Sequence, residues 1–215
     1  HSDWSNTISI AHGCNLSSPD FSASKCVEDA FDKGAEILAL FPSSQLSNEI
    51  QTLISQNYNL PFSGRQFLPL IAGDAIYGDK ILREFGREVE GMVVAIPWHH
   101  ELKNSASVTF LKEAQKLWGT QSVNWRTASS YDATQALVEG LRQLGKNPTR
   151  KGLKQILSQG DFSVQGATGL VEFDGGDRKI TSKNENELGI LVQVQCDYNY
   201  DNCKFIPLDM NRSEF

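Results

Sequence analysis

Up to residue 97 this sequence alternates short apolar runs with amphipathic stretches, and after residue 97 the apolar runs stop while the amphipathic stretches continue. That asymmetry limits the possible folds more than any other feature. "TISIA", "AEILALFP", "LPLIAG" and "EGMVVAIPW" read as four strands, each apolar almost throughout. "FSASKCVEDAFDKG" reads as a helix with Cys26, Val27, Ala30 and Phe31 on one face, "SNEIQTLISQNY" as a second with Ile50, Leu53 and Ile54 inward, and "GDKILREFG" as a short third. Strands without polar alternation are covered on both faces, so strand and helix in turn predict a doubly wound α/β layer with a parallel sheet. From "PWHHELKN" onward come three helices with no strand between them: "SASVTFLKEAQKLWG", "SSYDATQALVEGLRQLG" and "TRKGLKQILSQG", each ending at Gly. Their apolar faces, with Leu111, Leu117, Leu137, Leu141, Leu153 and Ile156, have no sheet of their own to cover. A strand and a Gly-rich turn in "GATGLVEFDGGDRK" follow, and then an antiparallel pair, "ELGILVQVQ" with "CKFIPLD".

The 215 residues fill one large domain or two small ones, and 40% hydrophobic content suffices for real cores. A net charge of −6 without any Lys/Arg block excludes nucleic acid and anionic membrane surfaces as partners. No apolar run has the roughly 20 residues of a membrane span. Because the sequence opens at His1, a processed, cleaved or engineered end is expected, and the lack of a visible signal peptide says nothing about compartment.

The cysteines fall as two close pairs, Cys14 with Cys26 and Cys196 with Cys203, and neither has the spacing of a zinc or redox motif. Two local disulfides in an oxidising compartment are expected, with reduced cytosolic thiols as the alternative. Chemistry has little footing. There is no "G-x-S-x-G" elbow, P-loop or "H-E-x-x-H", and "FDGGDRK" follows a strand without opening a helix. Adjacent His99 and His100 on a strand would face opposite ways and could not share a metal, so a solvated linker is their expected setting. No metal, no cofactor and no catalytic residue is assigned.

One carboxylate stands out. In "LPLIAGDAIYGDK" Asp74 directly follows a buried-strand pattern. It either caps the helix that follows or stands at a strand end, where α/β sheets hold ligands and an acid suits a cationic group.

"EGMVVAIPW", "FLKEAQKLWG", "ASSYDATQALVEGL" and "GATGLVEFDGGDRK", in this order and spacing, resemble the C-terminal part of type I periplasmic binding proteins of the branched-chain amino acid and amide class. The "SYDA" helix start and the "TG-x-V-x-F-D-x-G-D-R" turn are the specific pieces. The resemblance implies two α/β lobes joined by three hinge strands that close on a ligand. Residues 1–97 would be most of the C-terminal lobe, 98–175 a hinge and a return to the N-terminal lobe, and 176–215 a tail crossing back. The parallel strands of the N-terminal lobe have no counterpart here, which would account for the three uncovered helices. A fragment is therefore expected, with the N-terminal half of the same fold as partner, in the same polypeptide or as a separate chain.

The resemblance also implies roles for particular residues. Asp74 would take the α-ammonium of an amino-acid-like ligand, with Tyr77 stacking on it or bonding to it. Phe41 and Ser43 would line the cleft, with core packing as the alternative for Phe41, and Trp98 would wall it unless it simply packs. The implied protein is an exported, periplasmic or extracellular solute-binding protein and not an enzyme. It would deliver its ligand to an ABC transporter permease. A sensory ectodomain of a receptor or kinase with the same clamp is the alternative, and a hydrolase or transferase on a doubly wound core is the third.

Overall fold

The structure is a computed structural model. It describes residues 10, 12–42, 48–59, 67–120, 122–174, 176–179, 189–199 and 202–208. The chain forms two compact units, residues 1–95 with 191–215 and residues 96–190.

The first unit is the α/β layer. Helix α1 (Ala23–Asp32) begins where the Ser22 hydroxyl accepts a hydrogen bond from the Lys25 N–H, and it buries Ala23, Cys26, Val27 and Ala30. Strand β1 (Leu38–Leu40), helix α2 (Asn48–Asn59), strand β2 (Leu70–Ala72) and helix α3 (Asp79–Phe85) follow; a 3₁₀ turn (Gly86–Val89) then leads into β3 (Val93–Ile96). β1 pairs with β2 and β2 with β3, both in parallel, as the run of apolar strands predicts. The sheet continues through β7 (Ile190–Cys196) and β8 (Cys203–Pro207) in the order β1-β2-β3-β7-β8. β7 and β8 are antiparallel, with Cys196 opposite Cys203 and bridged to it. The second bridge joins Cys14 to Cys26, so both expected disulfides are present.

Val27, Ile50, Ile54, Ile81, Val89, Met92, Val94, Val192 and Val194 are sealed from solvent on the two faces of this layer. Each such side chain contributes about 1.5–3 kcal/mol. One polar group is sealed with them. Asn57, on the buried side of α2, donates to the Leu68 carbonyl at 2.9 Å and accepts from the Leu68 N–H at 3.1 Å. The amide thus satisfies a backbone pair just before β2 and sets where that strand enters the sheet. The first expected strand, "TISIA", lies outside the described residues except for Ile10.

The second unit holds α4 (Ser105–Trp118), α5 (Trp125–Leu144), α6 (Arg150–Leu157) and the antiparallel strands β4 (Ser163–Gln165), β5 (Leu170–Asp174) and β6 (Asp177–Arg178). Trp98, Phe110, Ala128 and Ala167 form one buried cluster. Ala136, Phe162 and Val171 form another, with Ile156, Leu157, Val164 and Phe173 packed on it.

Three expectations for this half need correcting. Helix α5 starts at Trp125 rather than at the "SSYDA" segment, because the Asn124 carboxamide accepts from the Arg126 and Thr127 N–H groups and caps the helix a turn earlier. β4, unread in the sequence, is three residues long and half exposed, so it carries no apolar run to see. The division between the units falls at residues 190/191, inside the tail expected to cross back, and the Gly-rich turn closes the β5–β6 hairpin within the second unit. His99, expected in a solvated linker, is buried, and its ring lies 4.3 Å from that of His100.

Candidate functional site

In the first unit, the carboxyl ends of β1 and β2 bring together Phe41 and the Gly73-Asp74 pair. The Gly73 N–H donates to the Leu40 carbonyl at 3.2 Å, carrying the parallel ladder one step past the strand. The chain then turns: Ile76 N–H donates to the Gly73 carbonyl at 3.1 Å and Tyr77 N–H to the Asp74 carbonyl at 3.2 Å. Ile76, inside that turn, is buried, which anchors it to the core and holds the half-buried Asp74 at the strand end.

The cap reading of Asp74 does not hold. Helix α3 starts at Asp79, after Gly78, and no side chain caps it. The carboxylate stands five residues before that helix, just past the carboxyl end of β2.

Phe41 corrects a second alternative. It is 71% exposed and so is not a core residue. Its ring lies against the backbone of Gly73: a Cβ built there would stand 3.2 Å from Phe41 Cδ1. Glycine is therefore what lets an aromatic ring settle on this strand end, next in sequence to Asp74. Sequence reasoning did not single out Gly73, although its place between an apolar run and an acid is the signal that could have found it.

Tyr77 is half-buried, with its ring 4.5 Å from that of Phe205 on β8, so it packs on the sheet edge. Ser43 lies outside the described residues. Trp98 belongs to the second unit, where it is 1% exposed and its indole N–H donates to the Ser107 hydroxyl at 2.8 Å; that hydroxyl donates in turn to the Ala167 carbonyl. This corrects its expected role as a cleft wall, because both the ring and its one polar atom are used inside the unit.

The two motifs singled out in the sequence also meet, but elsewhere. Asp132 of "SYDA" is buried on α5, and its carboxylate accepts from the Ala167 N–H at 2.5 Å, from the Thr168 hydroxyl and from the Arg178 guanidinium at 3.2 Å. Ala167 and Thr168 form the tip of the β4–β5 hairpin, and Arg178 is on β6. Gly166 makes the approach possible, since a Cβ there would stand 2.6 Å from Asp132 Cγ. One carboxylate thus ties a helix to three points of a small sheet. This is a structural tie, and no ligand role attaches to it.

Among the described residues, neither place offers a nucleophile with a base. Among the described residues, the one group close enough to suggest a metal is Glu90 with Cys196 and Cys203, and its sulfurs are committed to the disulfide.

Residues 13–192 match the family model described as "Periplasmic binding protein". Three solved structures are similar. A periplasmic binding protein type 1 from Bordetella pertussis Tohama I superposes with a TM-score of 0.66 at 16% identity, over 91% of this chain and 51% of that one. The leucine binding protein LivK from Thermotoga maritima MSB8 gives 0.59 at 20% identity, over 87% and 48%. An ABC transporter substrate-binding protein from Desulfitobacterium hafniense, in complex with Leu, gives 0.52 at 18% identity, over 91% and 49%. The chain therefore spans about half the length of the structures it matches. No curated protein matches it.

Proposed function

The chain belongs to the periplasmic binding protein family, and from that premise we propose that it supplies part of an exported clamp that captures an amino acid, or a related small amine or amide, for an ABC importer. The fold is that of the type I members, of which this chain spans about half. The observation that carries the proposal is the half-buried Asp74 carboxylate at the carboxyl end of β2, with the uncovered Phe41 ring across Gly73. Strand ends of this kind are where open α/β sheets hold ligands.

In this reading the ligand's ammonium pairs with Asp74 in a charge-assisted hydrogen bond, and the Phe41 face covers the apolar part of the ligand. The clamp performs no chemistry. Contacts made only when it is closed shift the population toward that state, and the importer's permease reads the closed shape. The two disulfides fit an exported protein.

The test is calorimetric titration of the complete gene product with a panel of free amino acids, on wild type and Asp74→Asn. Asn keeps the shape and removes the charge, so affinity should fall by about 2–5 kcal/mol. The melting temperature, followed on the same two proteins, separates a loss of affinity from a loss of fold. Unchanged affinity in Asp74→Asn, or no binding by any of the panel, would overturn the reading.

A further inference from the structure

One oxygen of the Glu90 carboxylate, Oε2, is sealed from solvent and accepts no hydrogen bond among the described residues. A group that has given up water and gained no donor is rare in a folded protein and calls for a reason. Its surroundings supply one. Glu90 closes the 3₁₀ turn before β3, and the two residues after it are bonded to β7: the Gly91 N–H donates to the Val194 carbonyl and the Val194 N–H to the Met92 carbonyl, each at 2.9 Å. This pins the glutamate beside the end of β7, where Cys196 stands opposite Cys203 of β8. A Glu90 carboxylate oxygen and the two sulfurs lie within 4.8 Å of one another, and all three residues are half-buried.

We infer that opening the Cys196–Cys203 bridge turns this corner into a site for Zn²⁺ or a similar thiophilic divalent cation, held by two thiolates and the Glu90 carboxylate. A protein dithiol opens the bridge: two electrons and two protons pass to the disulfide, giving two thiols, and the donor closes to its own disulfide. Zn²⁺ then replaces the two thiol protons, which leave to solvent. The closed bridge offers a cation nothing, because its sulfurs carry no charge, so occupancy follows the redox state. The strands keep the ligands together after reduction. Cys196 with Cys203 is one rung of a ladder that runs on to Val192 with Pro207, and this pairing still holds the two residues face to face. Rotation of the side chains then suffices to set the sulfurs about 3.8 Å apart, as two thiolates on a tetrahedral Zn²⁺ require, with water in the fourth position. Ca²⁺ and Mg²⁺ do not suit this donor set, since they take oxygen ligands. The other bridge, Cys14–Cys26, has no third ligand within such reach among the described residues, which makes it the internal control.

The experiment reduces the complete gene product with a phosphine, keeps it anaerobic, and titrates it first with Co²⁺ and then with Zn²⁺ in competition. The expected result is a thiolate-to-cobalt charge-transfer band that is absent before reduction and displaced by Zn²⁺. The share of the band worth one Co²⁺ per chain should be lost in Cys196→Ser and kept in Cys14→Ser. Glu90→Gln keeps the shape and removes the charge, and should weaken Zn²⁺ binding by at least about tenfold. Zn²⁺ should also raise the melting temperature of the reduced protein and leave that of the oxidised protein unchanged. The inference is overturned by the lack of a thiolate band after reduction, by a band undiminished in Cys196→Ser or lost in Cys14→Ser, or by Glu90→Gln binding as tightly as wild type. A reduced protein that neither stays folded nor refolds with Zn²⁺ overturns it as well.

Discussion

Replacing Asp132 by Ala removes three hydrogen bonds at once, and their cost can be worked out partner by partner. The Ala167 N–H is buried and has the carboxylate as its acceptor, so losing it strands a backbone donor at about 1–3 kcal/mol. The Thr168 hydroxyl is half-buried and can rotate toward water, which holds its share to about 1 kcal/mol. The Arg178 side chain is 40% exposed against 5% for Asp132, so the guanidinium returns to solvent and its ion pair adds less than about 1 kcal/mol. The total, about 2–5 kcal/mol, is a large part of the 5–15 kcal/mol that a typical domain has in all. Urea unfolding of the chain, followed by tryptophan fluorescence, measures it; Trp98 and Trp125 lie in the cluster next to the hairpin tip. Arg178→Ala should cost under about 1 kcal/mol on the same reasoning. Asp132→Asn keeps one acceptor for Ala167 and should fall between the two. If Asp132→Ala costs no more than Arg178→Ala, the buried N–H is not what the carboxylate serves, and the argument fails.

Two further outcomes follow from the same geometry. Gly166→Ala should destabilise by about 1–3 kcal/mol, because the new methyl meets a carboxylate fixed by three donors and cannot push it aside; paired with Asp132→Ala in a double-mutant cycle, the two costs should be strongly non-additive. Reduction should cost about 2–3 kcal/mol for each bridge, since the loops closed by Cys14–Cys26 and Cys196–Cys203 span 12 and 7 residues. Thiol titration before and after dithiothreitol, with unfolding curves in both states, measures this.

The parallel layer was legible because burial on both faces leaves an unbroken apolar run, and "LALF", "LPLIAG" and "GMVVAI" each became a strand at the expected place. The half-exposed β4 was not legible for the opposite reason. Helix positions were read well where the apolar face set them, as on α2, but the start of α5 was missed because a polar cap, Asn124, sets it. At the site, Asp74 could be placed at a strand end from its neighbours in sequence. That Phe41 stays uncovered while Trp98 is sealed could not be read, since both are aromatics following an apolar run. What separates them is long-range packing: Trp98 finds Ser107 and Phe110 and is sealed, while Phe41 lies over Gly73 and stays 71% exposed.

The two motifs singled out in the sequence and the residues proposed to meet a ligand are different sets, in different units. "SYDA" and "TGLVEFDGGDR" meet where a carboxylate buried inside a hairpin tip demands particular partners: a glycine for room, a backbone N–H, a hydroxyl and an arginine. Each of those demands fixes a residue type in the sequence. A ligand subsite at a strand end demands much less, since one acid and one aromatic face satisfy it and many side chains could stand in either place. The family model carries membership, while structures at 16–20% identity show the fold alone, and the leucine bound by the Desulfitobacterium hafniense protein is no guide to what Asp74 and Phe41 would select here. The choice among amines should instead depend on the space above the Phe41 ring. Ligands that share an ammonium but differ in apolar bulk should thus separate in affinity on Phe41→Ala, and a neutral amide should bind more weakly than the amine of the same shape.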